Sequence, residues 1–171
     1  MNNQLAVPRR AEWGEYPGGV MYELGSHMVD AVVRLLGKPD AVTPFLFTHG
    51  PHGDSFKDNT LAVLEYPRAL ATISCATFQP AAGAYRALEV LGTAGTATIR
   101  PIEPPTLALD LARAAGPYQQ GMTSKQWPDW ERFTGDFVEL AAAVRGERQL
   151  CVTLDQELDI QETLLRASGM L

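Results

Sequence analysis

Positive charge is scarce in this chain. Its 171 residues hold 14 lysines and arginines against 20 aspartates and glutamates, a net charge of −6. Nucleic acids and anionic membrane surfaces select a basic footprint, so this balance argues against both as main partners. Long apolar runs are missing as well. No stretch of 18 apolar residues occurs, and the opening MNNQLAVPRRAEWGEYPGG has no hydrophobic signal core, so the expectation is a soluble, unprocessed chain. Cysteine is limited to Cys75 and Cys151, too few for a disulfide scaffold and in keeping with a reducing cytoplasm. Internal repeats and low-complexity tracts are absent. With 46% hydrophobic and 20% charged residues, wholesale disorder is excluded. The length suits one domain that buries roughly 70% of its unfolded surface, and leaves no room for a large two-domain enzyme.

Residues 1–19, rich in Arg, Pro and Gly, read as an arm with Trp13 and Tyr16 as its large anchors. From Val20 to Leu36, Met21, Leu24, Met28, Val32, Leu35 and Leu36 recur at three- and four-residue spacing, which predicts one helix with a buried face. Gly37 and Pro39 are placed to stop it. The middle of the chain changes period. DAVTPFLFTH, NTLAVLEYP, ALATISCATF, YRALEVLG, TATIRP and TLALDLA are short segments bounded by Gly, Pro, Asn or Asp, as in an antiparallel meander. Pro67-Arg68 and Thr93-Ala94-Gly95 supply tight turns between pairs of them. Residues 115–128 carry no period and read as a long loop, a common place for function.

Helices then return. Phe133, Phe137, Leu140 and Val144 mark one apolar face ending at Gly146. The last helix opens on Thr153-Leu154-Asp155-Gln156, a capping-box pattern, and is expected to bury Leu154, Leu158, Leu165 and either Ile160 or Leu164. The order helix, strands, helices predicts a single α+β domain over 20–171: a mostly antiparallel open sheet of about six strands with helices packed on one face.

Chemistry concentrates between Gly18 and Asp30. On a continuous helix His27 lies about 40° from Glu23, and Asp30 about 20° to its other side, while the apolar residues centre nearly opposite. Glu23, His27 and Asp30 therefore share one polar stripe. Histidine beside a carboxylate suits proton exchange with a substrate hydroxyl near neutral pH; a solvated helix face has the same pattern. His49 and His52 sit in a Gly/Pro loop with only Asp54 nearby, a poor ligand set, so no metal is expected. Cys75 shares a strand side with Ala71 and Ile73 and reads as a buried, inert thiol. Trp127, in the Trp127-Pro128-Asp129-Trp130 cluster, can stack on a sugar ring or staple the next helix, and Tyr118, Gln119 and Gln120 can reach a polyol's hydroxyls.

The run GGVMYELGSHMVD (18–30) resembles the G-G-x-x-x-(D/E)-x-G-x-H-x-x-D signature of the second domain of the Gfo/Idh/MocA family, the relatives of glucose-fructose oxidoreductase and inositol dehydrogenase. The resemblance continues, in order, through DNTLAVLEYPRALATISCATF, LEVLGTAGTATIRP and RFTGDFVELAAAVRGERQLCVTLDQELDIQETLLRASG. It implies an NAD(P)-dependent oxidoreductase acting on sugars, cyclitols or related hydroxyl and carbonyl compounds. An N-terminal Rossmann domain would hold the NAD or NADP, and the C-terminal α+β domain would supply an open sheet and part of the substrate pocket. Carried over, His27 is the proton-transfer residue, acting with a lysine of the first domain. Glu23, where many relatives have Asp, is its carboxylate neighbour, and Asp30 is the trailing carboxylate, able to contact substrate or to accept a structural hydrogen bond.

No G-x-G-x-x-G occurs, and Gly92-Thr93-Ala94-Gly95 lies between strands rather than opening a helix. No Glu-Lys-Pro occurs either; Lys38-Pro39 follows Gly37 at a helix stop. The expectation is a chain without its cofactor half, as an isolated domain, a gene remnant or a stand-alone derivative, binding no cofactor by itself. Two functions follow. One is the substrate-binding and oligomerisation domain of the oxidoreductase, with a small sugar or polyol as partner. The other is a non-catalytic binding or assembly module. Both predict a homo-oligomer through the open sheet face.

Overall fold

The computed structural model describes residues 7–128, 131 and 133–171. Among these described residues five helices and seven strands follow one another: α1 (Val7–Trp13), α2 (Gly19–Glu23), α3 (Gly25–Leu36), β1 (Ala41–Phe47), β2 (Asn59–Tyr66), β3 (Ala69–Ala76), a 3-10 turn (Ala82–Tyr85), β4 (Leu88–Gly92), β5 (Gly95–Ile99), β6 (Thr106–Leu111), β7 (Gly121–Gln126), α4 (Thr134–Val144) and α5 (Leu154–Ala167). All strand pairs are antiparallel. The class is α+β, as the element order predicted. The single sheet of six is replaced by seven strands in two sheets, β1-β2-β3 and β4-β5-β6-β7. The chain divides accordingly into two units, Pro80–Arg148 and the segments to either side of it.

In the flanking unit, β2 shows why a sheet with one packed face forms. Thr60, Ala62 and Leu64 alternate buried with the half-buried Leu61 and Val63. Their register partners Cys75, Ile73 and Ala71 continue the same face on β3. The two-residue turn Pro67-Arg68 closes Tyr66 onto Ala69. Onto this face pack Met21 of α2, Val29, Val32 and Val33 of α3, and Ile160, Leu164 and Ala167 of α5. The outward face carries Phe45, Phe47 and Leu70, all exposed, beside half-buried Leu61 and Val63.

In the unit Pro80–Arg148, β4 and β5 meet at Gly92 and Gly95 around Thr93-Ala94. A Cβ on Gly95 would collide with the Asp110 carbonyl, and its φ of +153° also excludes most side chains. Pairing places Leu88, Val90, Ala97, Ile99, Leu107 and Leu109 on one side of the sheet. None of them is fully buried, and neither is any residue of α4, where Phe137 and Val144 are 70% and 80% exposed.

Four expectations are corrected. The predicted helix 20–36 breaks at Leu24 into α2 and α3, and Leu35 and Leu36 are exposed while Val29 and Val33 take their place in the core. The loop 115–128 contains β7, an edge strand whose residues GMTSKQ need no apolar alternation because only β6 pairs with it. Leu154 and Leu158 of α5 are exposed, since α5 turns its Ile160, Thr163, Leu164 and Ala167 side inward. Lastly, within the segment 1–19 read as an arm, Val7–Trp13 is helical and Arg10 is only 3% exposed.

Candidate functional site

The Glu23–His27 region begins at a double glycine that the packing demands. A Cβ on Gly18 would collide with the Ser168 side chain. One on Gly19, whose φ is +51°, would lie 2.5 Å from the Lys57 carbonyl oxygen. That carbonyl accepts the Val20 N–H at 2.9 Å, so the start of α2 is seated directly on the chain entering β2. Glu23 is the last residue of α2 and is half-buried; His27 is the third residue of α3 and is exposed. The junction is bridged by the Ser26 hydroxyl, which donates to the Glu23 carbonyl at 3.3 Å.

The stripe of three is not a set of equals. Asp30 accepts from Arg34 Nε at 2.7 Å, an i,i+4 pair, and the Asp30 carboxylate pushes the Arg34 guanidinium pKa up. Among the described residues, neither the Glu23 carboxylate nor the His27 ring has a hydrogen-bond partner. The arrangement therefore offers an accessible imidazole, a carboxylate one helix junction away, and a third carboxylate already committed to a cation.

Tyr118 and Trp127 belong to the unit Pro80–Arg148. Tyr118 is half-buried in a turn in which it and Ala115 exchange backbone hydrogen bonds of 3.1 and 2.9 Å. Trp127 follows β7; its N–H donates to the Pro105 carbonyl at 3.2 Å, and the Lys125 ammonium lies 4.8 Å from its ring centre. With Pro104, Gln126 and Pro128 it lines a shallow cavity of about 360 Å³. Asp129 and Trp130, the rest of that cluster, lie outside the described residues. His49 stacks on Phe47 at 5.3 Å, and its Nδ1 is 2.9 Å from the Asn59 amide. Among the described residues no group of three His, Cys, Asp or Glu side chains is gathered as metal ligands. Cys75 is half-buried against the core and Cys151 is exposed, both as thiols.

Sequence reasoning missed a buried ionic cluster. Arg10 of α1 donates from Nε and Nη2 to the two Asp54 oxygens, both at 2.7 Å, and from Nη2 to Asp58 Oδ2 at 2.9 Å. Asp58, completely buried, also accepts the backbone N–H groups of His49 (2.8 Å) and Gly50 (3.0 Å). The Arg10 fork holds the Asp54 carboxyl below its usual range. Asp54, read as a helper for His49 and His52, is thus the partner of an arginine 44 residues earlier. The available signal was weak: two adjacent arginines in a polar segment and two aspartates in a loop.

A cofactor cradle is a separate question. Gly92-Thr93-Ala94-Gly95 is a hairpin turn with no helix behind it. Pyrophosphate binding of the dinucleotide type needs a glycine-rich turn that opens a helix. The described residues do not fit a nicotinamide dinucleotide.

Comparison with known proteins now bears on these residues. No curated protein sequence matches the chain at a significant level. Among solved structures, UDP-N-acetylglucosamine 3-dehydrogenase GnnA from Acidithiobacillus ferrooxidans is similar, with a TM-score of 0.70 and 16% identity over 96% of this chain and 50% of that one. The WlbA dehydrogenase from Bordetella pertussis, solved in complex with NADH and UDP-GlcNAcA, superposes with a TM-score of 0.55 and 16% identity, covering 85% of this chain and 41% of its own. At such identities the likeness concerns the fold, and the chain spans about half the length of the structures it matches. No helix among the described residues is long and apolar enough to cross a membrane. The family model described as GFO/IDH/MocA C-terminal domain matches residues 2–98, more than half of the chain and all of the Gly18–Asp30 signature. The chain belongs to the GFO/IDH/MocA C-terminal domain family.

Proposed function

We propose that this chain is the substrate-facing domain of an NAD(P)-dependent oxidoreductase acting on a sugar, cyclitol or related hydroxyl or carbonyl compound, in the cytoplasm. The observation that carries the reading is His27. It is exposed and lies one helix junction from the half-buried Glu23, within the segment matched by the family model. His27 exchanges the proton of the substrate hydroxyl, and Glu23 sets the charge around the imidazole. Asp30, paired with Arg34, borders the site. Within the unit Pro80–Arg148 taken by itself, Trp127 has a flat apolar surface with Gln126 beside it, chemistry suited to a sugar ring and its hydroxyls, and Tyr118 has a phenol in the preceding turn. The nicotinamide cofactor belongs to a nucleotide-binding half that these residues do not provide. The similar WlbA structure holds NADH and a UDP-sugar, which supports cofactor and substrate class by analogy of fold.

Self-association through the outward face of β1-β2-β3 is part of this proposal. Phe45, Phe47 and Leu70 are 42%, 52% and 68% exposed there, the kind of apolar patch that marks an interface. The same patch favours a second reading, a non-catalytic assembly module that keeps the fold. Joining residues 1–171 to a nucleotide-binding domain and assaying free sugars, cyclitols and UDP-sugars with NAD and NADP separates the two. Cofactor-dependent turnover of one class is expected. A folded fusion that is inert across the panel overturns the enzymatic reading in favour of the module.

A further inference from the structure

Burying a guanidinium costs several kcal/mol unless its charge and donors are matched. Arg10 is matched by two carboxylates, and these in turn take three backbone N–H groups, of His49, Gly50 and Phe56. We infer that Arg10 is a positioning residue for the Glu23–His27 pair, acting through Asp58 and the Lys57 carbonyl. The inference rests on the proposed role of that pair.

The chain of contacts is short. Arg10 fixes Asp58, and Asp58 is covalently next to Lys57. The Lys57 carbonyl holds the Val20 N–H and presses against Gly19 so closely that no side chain fits between them. α2 has five residues and no side-chain cap at its start. A helix that short does not hold itself, because its single closed turn does not repay the order it requires. Its direction is set by what it is seated on. Glu23 lies at the far end of the same short helix, so a shift at Lys57 is carried along it to Glu23, four residues before His27. Arginine is the side chain suited to this anchor, because its planar fork reaches both Asp54 oxygens and Asp58 at once. A lysine keeps the charge and loses the fork.

The test uses the 171-residue chain labelled for NMR. In the parent, Glu23→Gln is expected to move the chemical shifts of the His27 ring at a fixed pH. In Arg10→Gln that response shrinks by at least about twofold, and exchange of the Val20 amide quickens at least about tenfold relative to the β2–β3 ladder amides. Arg10→Lys restores part of both. A loss of general stability alone would speed all amides together and leave the Glu23 response intact. No response in the parent overturns the pairing of Glu23 with His27, and with it the proposed site and the clamp. A normal response in a folded Arg10→Gln chain overturns the clamp alone. If Arg10→Gln does not fold, Asp54→Asn, which removes one arm at a carboxylate 35% exposed, decides on the same two readings: smaller changes of the same sign support the clamp, and none contradicts it.

Discussion

Tyr66 ends β2 with its ring against the core and its hydroxyl buried, without a hydrogen-bond partner among the described residues, and burial pushes its pKa up. An unmet buried hydroxyl costs free energy rather than contributing it. Tyr66→Phe is therefore expected to leave unfolding free energy within about 1 kcal/mol of the parent, on the stabilising side. A clear loss in urea titration would show that the hydroxyl has a partner. Arg10 teaches the opposite lesson about polar groups. Hydropathy assigns arginine to the surface, and its two aspartates lie 44 and 48 residues away, so local pattern carries no trace of the pairing. Gly18 and Gly19 were visible as a motif. The reason for them, a serine from the C-terminus and a carbonyl from the loop before β2, was not.

At the scale of elements, local chemistry was legible wherever a local rule governs. Gly37 ends α3 with φ +81° and donates its N–H to Val33 at 2.8 Å, as a helix stop should. The capping box at Thr153 is formed in both directions, Gln156 N–H to Thr153 Oγ1 at 3.2 Å and Thr153 N–H to Gln156 Oε1 at 3.0 Å. Thr153→Ala is expected to cost about 1 kcal/mol in thermal or chemical unfolding, with Thr153→Ser recovering most of it; equal stability of all three would discount the box. Periodicity misled where tertiary contacts decide. The break at Leu24, where φ is −109°, is invisible to a 3.6-residue repeat that runs through it. β7 escaped notice because an edge strand is defined by its partner. α4 has the apolar face its sequence promised, with no element of the described residues packed on it closely enough to bury it.

Across the whole molecule the decisive fact is uncovered apolar surface. Among the described residues the main hydrophobic cluster is built from α2, α3, α5 and the inner face of β1-β2-β3. Phe45, Phe47 and Leu70 on the outer face remain exposed. Under the proposed self-association, replacing Phe47 with aspartate places a charge in that patch without touching the core, so sedimentation should show an oligomeric parent and a monomeric variant while the circular dichroism spectrum is retained. An unchanged sedimentation coefficient would move the interface elsewhere. The α+β class and the family signature were legible because strand segments and the Gly18–Asp30 spacing are local. The division into two sheets was not, because it depends on which edges pair. The central claim concerns His27, and turnover tests it most directly. In a chain that joins residues 1–171 to a nucleotide-binding domain, His27→Ala is predicted to lower kcat by about 10²-fold or more with the fold intact; unchanged turnover would contradict the account.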